Sequence, residues 1–153
     1  MGSMTYVKAD VVAVGAAASA AVVVDLGLGI DEAARILGVL IDVSMVGVLL
    51  PGIEMRAQAA YSFDPEDLVF AAADDEQFAS CEVAVTAIAA SVGATKQSEH
   101  AFSNFVGMNV VTTRNLALVL TATALPATVS GKVYYERYKP TAMDLVQLIA
   151  TRR

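Results

Sequence analysis

The chain has 153 residues, 56% hydrophobic and only 17% charged, with one cysteine, one histidine and a formal net charge of −6. That length suits a single domain over residues 1–153 with a sizeable core, and the composition is too apolar for a disordered chain. A lone Cys81 and a lone His100 exclude a disulfide framework, a Cys-based metal site and the paired histidines of a zinc hydrolase, so neither a cofactor nor an enzyme activity is expected.

Residues 5–14 read as a first strand, with an extended arm over 1–10 as the other reading. The small residues of 15–20 suit a bend. Three adjacent valines, Val22 to Val24, make 21–28 a strand, and Gly27 and Gly29 mark a turn or bulge at its end. Asp31 could cap a helix carrying Ala34, Ile36, Leu37 and Leu40, a phrase similar to the start of a helix-turn-helix. Gly38 weakens such a helix by about 1 kcal/mol. Val39, Ile41 and Val43 alternate instead, which favours a strand over 34–45. Pro51-Gly52 signals a turn.

Residues 55–63 alternate again, with Ala57, Ala59, Tyr61 and Phe63 against Arg56, Gln58, Ala60 and Ser62. Asp64-Pro-Glu-Asp67 ends that strand, and 68–73 reads as a short helical segment or loop. Asp74, Asp75 and Glu76 form the only acidic run; without calcium-loop spacing they read as a solvated loop rather than a cation site. Residues 78–90 read as a strand, with Cys81, Val83, Val85 and Ala87 on one side and Cys81 as a small core residue. Residues 91–99 are polar and contain Gly93, so a loop is expected, with His100 in it beside Glu99. Phe102, Phe105 and Val106 then anchor the return into a strand near 108–113.

The C-terminal stretch has the clearest pattern. Leu116, Leu118, Leu120 and Ala122 recur every second residue, with Ala117, Val119, Thr121 and Thr123 as a milder face. A turn region over 126–131 leads to a second strand over 132–138, opened by Gly131, in which Val133 and Tyr135 alternate with Lys132, Tyr134, Glu136 and Tyr138. Two strands so closely joined read as antiparallel neighbours. Pro140 stops the sheet. Thr141 and Asp144 have the spacing of a capping pair for a helix over 142–150, whose Leu145, Leu148 and Ile149 share one face. Arg152 and Arg153 suit the negative end of its dipole.

Charge is divided along the chain: six basic against two acidic residues from Arg114 onward, four against fourteen before it. No Lys/Arg-rich arm accompanies that division, so no strong nucleic-acid contact is expected. The charge-free run over 11–24 falls short of the roughly 20 apolar residues of a spanning helix, so no transmembrane segment is expected either. The hydrophobic content exceeds what a small monomer needs, which points to surface buried against other protein, with Tyr134, Tyr135, Tyr138, Leu145, Leu148 and Ile149 as candidate contact residues.

Seven or eight strands spaced by turns give an all-β, antiparallel β-sandwich of the jelly-roll type, with a short C-terminal helix. The order of elements at 21–28, 35–44 and 58–64, with its Phe63-Asp-Pro-Glu-Asp67 turn, resembles a single jelly-roll viral coat protein. So do the closing pair at 116–123 and 132–138 and the terminal segment at 144–153. That resemblance implies a structural, self-assembling shell subunit. Its partners would be copies of itself in a large homo-oligomer, together with other shell proteins, and it would sit in the virion after assembly from a soluble, cytoplasmic form. The alternative on the same fold is a non-viral ligand-binding or adhesion module, using loops near Asp74 to Glu76 or Lys96 to His100.

Overall fold

The computed structural model describes the backbone of residues 4–64, 77–86, 91–103, 110–144 and 146, and the side chains of 12–48, 50–64, 77–86, 110–144 and 146. Nine strands lie within them: β1 (Met4–Val14), β2 (Ser19–Val24), β3 (Ala33–Leu49), β4 (Glu54–Ser62), β5 (Gln77–Thr86), β6 (Ser91–Ser103), β7 (Val110–Thr112), β8 (Leu116–Ala122) and β9 (Ala127–Tyr138). One sheet has the order β1-β9-β3-β6, with β7 also pairing β3; the other has the order β2-β8-β4-β5. Every pairing is antiparallel. The two sheets face each other across one core, an all-β sandwich. Among the described residues, Ala142 to Asp144 and Val146 are helical and follow β9.

Period-two alternation builds that core. Ile36, Val39, Ile41, Val43 and Met45 of β3, with Val129, Val133 and Tyr135 of β9, form the inner wall of the first sheet. Met55, Ala57, Ala59 and Tyr61 of β4, with Leu116, Leu118 and Leu120 of β8, form that of the second. Cys81 and Val83 of β5 join the same cluster. The inner walls meet closely at Gly131: a Cβ there would stand 2.1 Å from the Tyr61 hydroxyl and 2.9 Å from Leu118 Cδ2. Only glycine fits, so Gly131 lies in the interior of β9 and not at its opening.

The strand β3 replaces any helix over 31–41. Its 17 residues, about 55 Å at 3.3 Å per residue, pair along one side with β9 and along the other with β7 and then β6. A sheet position with neighbours on both edges outweighs the weak helical signal of Ala34 to Leu40.

Several expectations are corrected. The two C-terminal strands are not neighbours: β8 lies between β2 and β4, β9 between β1 and β3 in the other sheet. The connection at Thr123 to Pro126 crosses from sheet to sheet, because both strands have apolar inner faces that pack against each other and not side by side. β9 starts at Ala127, inside the expected turn region. The milder face of β8 is buried in part: Ala117 and Val119, on the side away from the core, form a second fully buried cluster with Ala60, whereas Thr121 stays partly exposed and Thr123 beyond the strand is exposed. Residues 91–99 are not a loop. They belong to β6, where Val92 pairs with Val48 and His100 with Ile41. The open backbone edge of β3 recruits this polar segment through main-chain hydrogen bonds, which hydropathy does not report. The second strand ends at Val24, with Gly27 beyond it at φ +62°. The expectations at 65–76, 87–90 and 104–109 fall outside the described residues, as do Phe105 and Val106.

Replacing Gly131 by alanine is expected to destabilise the fold by about 1–3 kcal/mol through overpacking against Tyr61 and Leu118. The midpoint of urea unfolding measures this; an unchanged or raised midpoint would show that the sheets do not meet there.

Candidate functional site

Most strands send alternate side chains inward, so exposed large apolar residues stand out. Among the described residues all of them but Val23 of β2 belong to the two ends of β3 or to segments beside them. At one end Met45 points inward, and Gly47 leaves room for Leu125, whose Cδ2 would lie 2.7 Å from a Cβ there. Val46 and Val48 must then face outward, and each is more than half exposed. The Val46 amide donates to the Pro126 carbonyl, tying this end to the β8–β9 crossing. Beyond it, Leu50-Pro51-Gly52-Ile53 closes with the Ile53 amide donating to the Leu50 carbonyl at 3.4 Å. Proline second, glycine third at φ +71°, is the pattern of a type II turn. The turn holds Leu50 and Ile53 in solvent, 42% and 47% exposed. Four apolar side chains thus share one tip.

At the other end, Ala33 pairs with Tyr138, which brings 30–32 beside 139–141. Lys139 Nζ lies 3.0 Å from Asp31 Oδ2. Arg35 sits 5.2 Å over the Tyr138 ring and 3.9 Å from Glu136. Around this exposed charged set stand three exposed apolar residues, Ile30, Met143 and Val146. The Thr141–Asp144 capping pair forms as expected. Asp144 Oδ2 accepts from the Thr141 amide at 2.8 Å and from its hydroxyl at 2.7 Å, and the Asp144 amide donates back to Thr141 Oγ1 at 3.3 Å. Those hydrogen bonds, the Thr141 hydroxyl's first, hold the Asp144 carboxyl below the ordinary aspartate range. The hydrogen bond from Lys139 lowers Asp31 in the same way.

The expected contact residues divide. Tyr135 points into the core, and its hydroxyl donates to the Leu26 carbonyl at 2.9 Å, so it has no surface to offer a partner; burial pushes its phenol pKa up. Tyr134 and Tyr138 lie half-buried on the outer face of the first sheet. The side chains of Leu145, Leu148 and Ile149, like Arg152 and Arg153, are outside the described residues, as is the acidic run Asp74 to Glu76. Reading the sequence did not single out Val46, Val48, Leu50, Ile53, Ile30, Met143 or Val146. A signal existed for the first of these: once Met45 is inward, alternation forces Val46 and Val48 outward, where a solvent-facing strand would normally have polar residues.

Elsewhere the polar surface is ordinary. Arg56 is bonded to Glu54 and faces Glu82, and Gln58 donates to Glu82, on the outer face of the second sheet. The hydrogen bond that Arg56 donates to Glu54, then the field of both carboxylates, raises the Arg56 pKa. Among the described residues no group of three His, Cys, Asp or Glu side chains could hold a metal ion, and no helix is long and apolar enough to cross a membrane. Comparison of the chain with protein-family models, with curated protein sequences and with solved structures finds no match.

The Asp144 carboxyl is expected to titrate below 3.8, its ordinary value, when followed by NMR. A depressed carboxylate favours the folded form above its unfolded pKa and loses that contribution as pH falls through the lowered folded value. The helix start should therefore loosen only in acid below that ordinary value. Thr141→Ala should move the titration back up; an unmoved titration would exclude the cap as its cause.

Proposed function

We propose that this chain is the structural subunit of a self-assembling protein shell, of the viral capsid kind, built on a jelly roll. The strand order supports the fold. Eight strands in the orders β1-β9-β3-β6 and β2-β8-β4-β5, in which the chain crosses between sheets at most connections but pairs β4 with β5 directly, fit the two interleaved Greek keys of that architecture. In such a shell the protein would be part of the virion, and its partners would be copies of itself.

One observation carries the functional reading: two separate exposed apolar sets at opposite ends of one long strand, on a rigid sandwich. Val46, Val48, Leu50 and Ile53 form one; Ile30, Met143 and Val146 the other. A single patch would close a dimer and stop. Two different patches on one subunit permit head-to-tail contacts, which extend until the geometry closes. Each contact can be modest, because many repeats hold an assembly together.

The purified chain should form large particles by electron microscopy and light scattering. Leu50→Asp combined with Ile53→Asp should abolish them while circular dichroism keeps its β signature, because substitutions at exposed positions away from special features change stability by about 0.5 kcal/mol or less. A monodisperse monomer at high concentration would overturn the proposal and favour the binding-module reading. Particles persisting in the double variant would remove this tip from the contact.

A further inference from the structure

A β-sandwich must deal with its sheet edges, whose unpaired N–H and C=O groups are templates for another strand. Among the described residues the long edges are β1 and β6 in one sheet and β2 and β5 in the other, with the three-residue β7 also paired on one side only. Three of them contain features that discourage pairing. β1 has Lys8 and Asp10, with a register break between Val7 and Asp10. β6 has Lys96 and Glu99, and its pairing with β3 breaks between Ile41 and Val43. β5 has the exposed Glu82, and its pairing with β4 breaks between Tyr61 and Ser62. β2, Ser-Ala-Ala-Val-Val-Val, has no charge, no proline and an unbroken register from Ser19 to Val24. Its Val23 is 55% exposed.

The direction of the open groups follows from two hydrogen bonds. The Ala122 amide donates to the Ala18 carbonyl at 2.9 Å, and on the other side of β8 the Thr123 amide donates to the Arg56 carbonyl at 2.9 Å. In an antiparallel ladder alternate residues bond to a given neighbour. Ala20, Val22 and Val24 therefore turn their backbone groups toward β8. Ser19, Ala21 and Val23 turn theirs to the open side, where no described residue bonds them.

We propose that β2 is a strand-addition edge that takes up β2 of a second copy, antiparallel, about a two-fold axis through Ala21. The partner is a copy because the edge suits itself. Residues facing one another across the axis must share a sheet face, which sets Ser19 opposite Val23, Ala21 opposite Ala21 and Ala20 opposite Val22. No charged residue lies in that arrangement, so no like charges meet across the axis. All three open residues become bonded pairs, giving about six main-chain hydrogen bonds. An edge this short buries less than a standard interface, so the contact is weak alone and counts when repeated with others. It rests on the self-assembly reading and names one of its contacts.

Two variants of the full chain test it. Ala21→Cys should form a disulfide-linked dimer on mild oxidation, whereas Ala84→Cys, on the exposed face of β5, should not. Ala21→Pro removes an N–H only from the open side, so the fold should persist by circular dichroism while self-association weakens at least tenfold. Val22→Pro, which removes the bond to β8, should instead cost fold stability. No Ala21→Cys dimer, or equal dimer from both cysteine variants, would overturn the proposal, as would unchanged association of Ala21→Pro. Particles in the unmodified chain alongside those negative results would defeat the edge contact alone. A crosslink at position 21 in a chain that never forms particles would defeat the shell and leave the edge contact standing.

Discussion

The structure depends on one close approach. Where Gly131 of β9 lacks a side chain, the Tyr61 ring and the Leu118 methyls of the opposite sheet fill the space. Two sheets normally stack about 10 Å apart, with side chains interdigitating between them. This contact is one place where the two inner walls interlock, with β9 of one sheet against β4 and β8 of the other. β8 and β9 press their apolar faces together across the core, so the chain must cross at Thr123 to Pro126. The same crossing holds the end of β3 through the Val46 amide and the Pro126 carbonyl, and so presents the apolar tip beyond it.

Much of the architecture could be read from side-chain alternation. β4, β8 and the inward set of β9 appear in the sequence as period-two stripes, and the Thr141–Asp144 cap as a spacing. What could not be read was pairing. Ser91 to Glu99 has no apolar stripe and became a strand because β3 offers a free main-chain edge, an attraction carried by groups every residue possesses. The hairpin expected at the C-terminus failed for a related reason: a short connection fits a sheet-to-sheet crossing as well as a tight turn, and only three-dimensional packing chooses. Ala117 and Val119 looked like a milder face, and both are fully buried with Ala60. The candidate surface was legible in composition but not in position. Surplus hydrophobicity is plain in the composition, but a tyrosine on a strand can face either way, and Tyr135 spends its ring on the core and its hydroxyl on Leu26.

The surplus apolar content thus has three destinations. Part fills the core between the sheets. Part forms exposed sets at the two ends of β3. Part lines β2, an uncharged edge whose backbone faces outward at Ser19, Ala21 and Val23. The charged residues follow a complementary plan, with Arg56, Glu54 and Glu82 on the outer face of the second sheet and Arg35, Glu136, Asp31 and Lys139 near the helix. These exposed pairs add little to stability.

Sedimentation velocity of the purified chain across a wide concentration range tests self-association most directly. Species well above the 15.9 kDa monomer, growing with concentration, are the expected result. A single monomer boundary that does not change up to millimolar protein would contradict it.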